Sequence, residues 1–269
     1  PLLSGLIRGT SESARDVTRA GAKYNSSGVA IIGFADVADS LTALKEIVFE
    51  KKLISCPELF AALKADFQGH PKVQALLTQK APKYGTDDPL ADQVAADLVV
   101  LLADAFHRHK NPRGGNYHLG LWSITMHAGL GALTSALPNG RRKGAPLASG
   151  ATPVSGVARK GPTASFASTS KLPVHLIANG IANNHKLSRS LLGKPGKLDI
   201  FEQLLNGYFR MGGMQTQFII RDKQTLILAQ KHPEMYRDMV VRVSGYTAYF
   251  CDLNRGMQDE IIARTEDII

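Results

Sequence analysis

Hydrophobic and polar positions follow two different periods along the chain, and together they predict helices mixed with short strands. Apolar side chains recur every three to four residues over positions 57–80 and 88–110, which is typical of helices that bury one face. A continuous apolar run at 29–34 follows a polar loop at 21–28 and predicts a short buried strand.

Capping residues indicate where these helices begin and end. A helix is predicted from 35 to 48, with Asp39 or Ser40 as its N-cap. Pro57 suits a first helical turn, because its missing N–H costs nothing there. The helix predicted at 88–110 ends in basic side chains, which complement the negative end of the helix dipole.

The second half of the chain changes character. Residues 116–175 are rich in Gly, Ala, Ser, Thr and Pro and lack a helical period, so we predict short strands and ordered loops there. Helical and alternating periods then return, and the class is α/β. The elements predicted in this part are a helix opening at Leu198, capped by Asp199 and stopped by Gly212, strands at 214–220 and 239–243, and helices at 222–231 and 257–265.

Composition is that of a globular protein. Among the 269 residues, 44% are hydrophobic and 20% are charged, and no apolar run approaches the ~20 residues that span a bilayer. The formal net charge is +9, but the densest basic stretches, at 107–110 and 141–143, lie on no recognisable nucleic-acid-binding motif. We therefore expect neither a nucleic-acid nor a membrane partner, and a basic surface that attracts anions.

The sequence predicts no bound metal or nucleotide. Its two cysteines, Cys56 and Cys251, form no CxxC pair, and no His/Cys cluster has zinc spacing. The glycine-rich stretch 156–171 lacks the spacing of a phosphate-binding loop. Reduced thiols are the default in a cytosolic protein.

One glycine follows directly on a predicted strand. The strand at 239–243 runs into Ser244, Gly245 and Tyr246. On physical grounds alone, a glycine here indicates a backbone with positive φ or a close approach of another chain segment. That structural role is the common one for an isolated glycine after a strand.

A resemblance adds chemistry to this glycine. Residues 242–250, Arg-Val-Ser-Gly-Tyr-Thr-Ala-Tyr-Phe, resemble the C-terminal signature of glycyl radical enzymes. The similarity is to the dehydratase and lyase branch, which is pyruvate formate-lyase-like, and it covers essentially the whole chain. Further segments similar to that family, in the same order, are 21–25, 35–41, 81–85, 111–115, 138–141, 144–150 and 229–234.

The resemblance implies a fold and an organisation. Residues 1–269 would be the C-terminal part of a glycyl radical enzyme. Residues 1–220 would form the second half of a ten-stranded barrel surrounded by helices, and residues 221–269 the glycyl radical domain, whose glycine loop lies inside the barrel.

The resemblance also implies a site. A radical S-adenosylmethionine activating enzyme would remove a hydrogen atom from Gly245, with Arg242, Ser244 and Tyr246 supporting the loop. The stored radical would pass to a cysteine and then act on a small polar substrate by cleavage or dehydration. His118 and His127 are candidates for the substrate pocket, with no bound cofactor beyond the glycyl radical itself.

The thiyl cysteine of the family is not found in its usual context. Cys56 opens a predicted helix and Cys251 lies six residues past Gly245, so a structural role is favoured for both. We therefore expect the cysteine on a polypeptide outside this chain, either a preceding portion or a separate subunit. A homo-oligomer located in the cytoplasm or in a bacterial microcompartment is also expected.

Several alternatives remain open at this stage. The chain could belong to a radical-adding synthase or formate acyltransferase of the same family, to a non-catalytic spare radical subunit, or to a basic binding module without chemistry. Arg113 and Arg141 could hold a carboxylate or phosphate, although a structural loop role is favoured for each. A similarity that begins far upstream of Gly245 argues against the spare subunit.

Overall fold

The computed structural model of the chain describes residues 1–157, 159–187, 196–264 and 266–267. The helices are α1 (Leu2–Leu6), α2 (Thr10–Ser13), α3 (Phe34–Ala43), α4 (Cys56–Lys64), α5 (Pro71–Ala75), α6 (Pro89–His107), α7 (Met126–Leu133), α8 (Pro162–Ser170), α9 (Lys197–Arg210), α10 (Lys223–Lys231) and α11 (Arg255–Ala263). The π-helical segments Leu44–Glu50 and Leu76–Lys80 continue α3 and α5. The strands are β1 (Ser27–Ala30), β2 (Tyr117–Gly120), β3 (Asn184–Leu187), β4 (Gln217–Ile220), β5 (Val240–Arg242), β6 (Thr247–Tyr249) and β7 (Glu266–Asp267).

Short parallel strands form the framework. Strand β1 pairs with β2, and a bridge between Leu121 and Ile181 links β2 to the segment that leads into β3. Strand β3 then pairs in parallel with β4 and with β7. The predicted α/β class is confirmed. Over the described ranges the sheets are small and no barrel closes, so the ten-stranded barrel stays a prediction.

Strand β2 and the residues after it pack on α3 and α6 through a large apolar cluster. Phe34 of α3, Val99 of α6, and Leu119 and Leu121 around β2 are fully buried there. Helix α6 matches its prediction closely, because Asp88 accepts hydrogen bonds from the N–H groups of Leu90 and Ala91 at its start. The predicted domain boundary at 220–221 falls in the link between β4 and α10.

Helix α3 begins earlier than predicted. Phe34, assigned to the strand at 29–34, is its first residue, and Gly33 with φ of +78° precedes it. The N-cap prediction for Asp39 or Ser40 is wrong, because both lie buried in the middle of the helix. The Asp39 side chain instead accepts a hydrogen bond of 2.8 Å from the backbone N–H of Tyr84, which is far away in the sequence.

Other boundaries differ for local reasons. The helix predicted over 57–80 is broken, because Asp66 and Phe67 adopt positive φ between α4 and α5. Helices α7 and α8 lie in the region predicted as strands and loops, since their small residues leave no apolar stripe to detect. The cap prediction for Asp199 is also wrong, as Gly196 occupies the N-cap and Asp199 the first turn.

A buried polar cluster around Asp36 positions the loop that contains Asn139 and Ala148. Asp36 of α3 accepts hydrogen bonds from Asn139 Nδ2 at 2.9 Å and from the Ala148 N–H at 2.6 Å. Lys83 Nζ donates to the carbonyl of Asn139 at 3.1 Å. Burial raises the pKa of the Asp39 carboxyl to about 7, although the charge of Lys83 opposes that rise. The family-like segments at 35–41, 81–85, 138–141 and 144–150 thus meet in one place.

Within the part of the chain that the structure describes, none of the helices combines the length and the apolar character needed to cross a membrane.

Candidate active site

Gly245 lies at the tip of an antiparallel hairpin. Strands β5 and β6 pair from Val240–Tyr249 to Arg242–Thr247, and the N–H of Val243 donates to the carbonyl of Tyr246 at 2.9 Å to close the turn. The backbone of Gly245 has φ of +89°, which L-residues with a side chain rarely adopt. Gly245 is exposed, and a Cβ placed on it would lie more than 4 Å from every described residue other than its two neighbours in the chain.

Arg242 holds the turn from the strand side. Its Nη2 donates to the carbonyl of Gly245 at 3.3 Å and its Nη1 to Oγ1 of Thr247 at 3.1 Å. Its Nε donates to Oε1 of Gln217 on β4 at 2.8 Å. The guanidinium therefore ties the glycine carbonyl to the parallel sheet, which is the contact that the predicted supporting role of Arg242 needs.

Ser244 anchors the turn from behind and is fully buried. Its Oγ accepts from the backbone N–H of Ser123 at 3.4 Å and lies 3.3 Å from the Oγ of the same residue. Ser123 Oγ in turn lies 3.3 Å from Ser149 Oγ, in the loop that Asp36 positions. Because these residues are far apart in the chain, the contact fixes the hairpin against the body of the protein.

Arg264, which follows α11, was not identified from the sequence. It donates from Nη1 to the carbonyl of Arg242 at 3.0 Å and from Nη2 to the carbonyl of Val243 at 2.8 Å. Glu260, one turn earlier, lies 2.9 Å from Arg264 Nη2. The four-residue spacing of Glu260 and Arg264 could have indicated this ion pair, since opposite charges at that spacing meet on a helix.

Electrostatics stabilise Glu260 in its charged form. Burial alone would raise the pKa of this carboxyl. The charge of Arg264, together with the contacts that Glu260 makes with His127 and Arg264, lowers that pKa to about 2. Nε2 of His127 lies 3.3 Å from Glu260 Oε2 without the alignment of a hydrogen bond. Nδ1 of His127 is 2.9 Å from Ser123 Oγ, so one polar chain runs from Arg264 to the serines behind Gly245.

A cleft of about 470 Å³ opens beside the glycine. Tyr246, expected from the resemblance to support the loop, is half-buried and lines this cleft. Among the described residues, those that line this cleft include no charged side chain. The lining residues are Trp122, Ile124, Asn179, Gly180, Ile181, Ala182, Ser244, Gly245 and Tyr246.

The two histidine candidates do not line this cleft. His127 is completely buried behind the turn, between Ser123 and Glu260. His118 lines a separate cleft together with Lys23, Lys110 and Arg113. A role of either histidine in a substrate pocket stays a prediction.

Arg141 has a structural environment. Its guanidinium is enclosed by backbone carbonyls, including those of Gly131 at 2.6 Å and Ser135 at 3.0 Å. Arg113 donates to Oγ of Ser27 at 3.1 Å and to the carbonyl of Ser26 at 3.3 Å. Both arginines thus form hydrogen bonds that stabilise loops of the chain.

Neither cysteine lines the cleft. Cys56 is exposed at the start of α4. Cys251 Sγ lies 3.3 Å from the carbonyl of Tyr236, and burial raises the pKa of its thiol. Among the described residues, no group of three or more His, Cys, Asp or Glu side chains is placed to hold a metal ion.

Two family descriptions match the chain in succession. Residues 1–131 match the family described as pyruvate formate lyase-like, and residues 147–251, which include the hairpin, match the family described as glycine radical. The chain belongs to the glycyl radical enzyme family. The resemblance seen in the sequence is thereby confirmed.

Relatives within the glycyl radical enzyme family are dehydratases and lyases. The chain is 39% identical over its full length to a probable dehydratase, YbiW, of Escherichia coli K12, and 36% identical over 99% of its length to trans-4-hydroxy-L-proline dehydratase of Clostridioides difficile. It superposes with a TM-score of 0.96 on the glycerol-bound form of the B12-independent glycerol dehydratase of Clostridium butyricum, with 38% identity over 99% of the chain. The chain spans 34% of the length of each of these proteins.

Proposed function

We propose that this chain is the radical-carrying part of a glycyl radical dehydratase or lyase, and that Gly245 stores the radical. The observation that carries the proposal is the geometry of the hairpin tip. Gly245 is exposed at a closed turn, opens onto a cleft, and is held on two sides by Arg242 and Ser244.

The chemistry follows from the structure of glycine. Homolytic loss of one hydrogen atom from Cα leaves an unpaired electron that the amide nitrogen and the adjacent carbonyl share when Cα becomes planar. A Cβ would crowd that planar arrangement. A radical S-adenosylmethionine activating enzyme would accept the hydrogen atom, and the exposure of Gly245 gives such a partner a point of approach.

The radical then moves to a cysteine outside this chain. Gly245 Cα regains a hydrogen atom from the cysteine S–H bond, and the sulfur keeps the unpaired electron. Cys56 and Cys251 are absent from the cleft lining, so a polypeptide that covers the open side of the cleft must supply the thiol. The thiyl radical abstracts a hydrogen atom from substrate carbon and returns it after the bond to the leaving group breaks.

The substrate class is small and polar. The relatives are named for dehydration of a hydroxylated compound or for release of sulfite from isethionate, and both reactions remove a group beside a carbon-centred radical. The match of residues 1–131, well before the hairpin, favours a part of an enzyme over a spare radical subunit.

Electron paramagnetic resonance tests the proposal directly. The chain is incubated anaerobically with an activating enzyme, S-adenosylmethionine and a reductant, and a doublet-like glycyl signal is expected. Gly245→Ala must abolish the doublet. Gly114→Ala is the matched control, because Gly114 has a similar φ of +81° and equally open surroundings. A doublet that survives Gly245→Ala, or that never forms, eliminates the proposal.

A further inference from the structure

A second cleft, of about 470 Å³, lies at the end of β1 and β2 that is remote from Gly245. Because these two strands run in parallel, Ser26 and Asn116, which precede them and line this cleft, mark the same edge. The Gly245 cleft is lined by Trp122, which lies beyond the other end of β2. Four residues of strand, a length of about 13 Å, therefore separate the two clefts.

Three positively charged side chains line this second cleft, and they are Lys23, Lys110 and Arg113. Among the described residues, its lining includes no Asp or Glu, and none of the three cations takes part in an ion pair. Like charges gathered around a concave surface raise the local potential and attract anions. We refer to this site, defined by the three cations, as the basic cleft.

The two lysines of the basic cleft are exposed and largely uncommitted. Lys23 Nζ lies 5.5 Å from the centroid of the Tyr24 ring. Lys110 Nζ donates a hydrogen bond to Oδ1 of Asn116, which uses one of its three N–H groups. Both ammonium groups can therefore reach a ligand without breaking a contact that holds the fold.

Arg113 uses only one of its three guanidinium nitrogens within the described part of the chain. Its Nη2 donates to the Ser27 Oγ at 3.1 Å and to the Ser26 carbonyl at 3.3 Å. Nε and Nη1 have no hydrogen-bond partner among the described residues, and neither atom is shielded from solvent. Free guanidinium N–H groups are the usual donors to phosphate and carboxylate oxygens in proteins.

The loop that carries Arg113 is fixed before any ligand binds. Asn111 Oδ1 accepts from the N–H of Arg113 at 2.9 Å and from that of Gly115 at 3.0 Å, and its Nδ2 donates to the Ser27 Oγ at 2.9 Å. A Cβ on Gly115 would lie 2.1 Å from the carbonyl oxygen of Asn25, so the loop approaches the start of β1 as only glycine allows. A site ordered in this way loses little conformational freedom on binding.

We propose that the basic cleft binds a small anion with two or more negative charges, carried by phosphate or carboxylate groups. Its volume lies in the range of small-molecule sites, and three cations can balance more than one negative charge. This site is independent of the proposed function, because its ligand lies too far from Gly245 to enter the radical reaction. An anion that contacts the residues before both β1 and β2 stabilises the pairing of these strands.

Isothermal titration calorimetry of the full chain in about 0.1 M salt, with pyrophosphate, citrate and acetate, tests the proposal. Pyrophosphate or citrate should bind at least ten-fold more tightly than the singly charged acetate, and the tighter of the two identifies the preferred group. Lys23→Gln/Lys110→Gln should raise its Kd about ten-fold, the equivalent of ~1.4 kcal/mol. Lys72→Gln/Lys80→Gln, which removes the same charge at exposed positions outside the cleft, is the control and should leave the Kd within about two-fold.

Protection from acetylation locates the site without any substitution. The unsubstituted chain is treated with an amine-acetylating reagent, with and without the tighter-binding anion, and modified peptides are quantified by mass spectrometry. Lys23 and Lys110 should be acetylated several-fold more slowly when the anion is present. Lys72 and Lys80 should react at the same rate in both samples.

Three results would overturn the proposal by showing only a general attraction of anions to a chain of net charge +9. These are equal rises in Kd for the two double variants, acetate binding as tight as that of pyrophosphate and citrate, and no protection of Lys23 and Lys110. Absence of measurable binding overturns it as well. None of these results bears on the glycyl radical, since Gly245 takes no part in the basic cleft.

Discussion

Arg264 donates a hydrogen bond of 2.8 Å to the carbonyl of Val243, the residue that closes the Gly245 turn. The same guanidinium donates to the carbonyl of Arg242 at 3.0 Å. A side chain near the end of the described chain thus holds the backbone just before the radical position. Because Glu260 binds this guanidinium in turn, helix α11 and the hairpin form one unit.

Replacing Arg264 should loosen that unit. Arg264→Ala removes one partner of a buried ion pair and leaves two carbonyls without donors, so we expect a loss of about 3–5 kcal/mol in unfolding free energy. Arg264→Lys should cost less, since an ammonium group can still donate to one carbonyl. Denaturant unfolding measures both variants.

A control for Arg264 lies at the start of α11. Arg255 pairs with Asp259 at the same four-residue spacing but in an exposed position. Arg255→Ala should change the unfolding free energy by at most ~0.5 kcal/mol. Equal losses for Arg255→Ala and Arg264→Ala would show that Arg264 contributes only as a surface charge.

Stability at acidic pH should depend on Glu260. Burial alone would raise the pKa of Glu260, but the charge of Arg264 and the contacts of Glu260 with His127 and Arg264 lower it to about 2, below its ordinary value of 4.5. The folded state therefore favours the ionised carboxyl, and its contribution is complete above pH 4.5 and is lost as the pH falls towards 2. The contribution is on the order of 3 kcal/mol.

The difference between the unsubstituted chain and Glu260→Gln isolates this carboxyl. Burial raises the pKa values of Asp36 and Asp39, so these groups change stability in the opposite direction and are present in both proteins. The difference in unfolding free energy should shrink between pH 4.5 and pH 2. A difference that stays constant over this range would show that Glu260 is not held ionised by Arg264.

Local sequence signals predicted part of this architecture. Asp88 and Pro89 at the start of α6, and the apolar strand before Gly245, act through neighbours in the sequence, and both elements formed as expected. Helix α8 was missed because Phe166 is buried among Ser, Thr and Ala, which have no helical period. Element boundaries failed where a glycine such as Gly33 replaced a polar cap.

The surroundings of Gly245 could be predicted only in part. Arg242 and Ser244 adjoin the glycine, so a supporting role could be proposed from position alone. The partners of these residues could not be predicted from the sequence. Gln217, Ser123 and Arg264 are brought close by the tertiary fold over long sequence separations. The close approach of Asn179 to Gly28 and Gly120 could not be predicted either, because it appears only when strands β1 and β2 are paired.

Oxygen should cut the activated chain at one position. A backbone radical on Gly245 reacts with O2, and the exposed turn offers no protection in the chain alone. We expect air exposure after activation to release a C-terminal piece that begins at Gly245, as measured by intact mass. Gly245→Ala treated in the same way should stay whole, and cleavage elsewhere would contradict the assignment of the radical.

The isolated chain should self-associate or bind a partner polypeptide. Helix α9 is strongly amphipathic, yet of its side chains only Tyr208 is buried, while Leu198 and Phe209, about three turns apart on one face, are each roughly half exposed. Such an apolar face on a soluble protein is typical of a contact surface. We expect size-exclusion chromatography with light scattering to give a mass above that of one chain, rising with concentration.

Substitutions on α9 test whether this face causes the association. Leu198→Lys/Phe209→Lys should lower the apparent mass, because two charged side chains would have to lose water on contact. Gln203→Lys/Asn206→Lys adds the same two units of positive charge at exposed positions of α9 that are turned away from Leu198, so it should associate like the unsubstituted chain. A compact monomer at every concentration would contradict self-association through the face of α9 that carries Leu198 and Phe209.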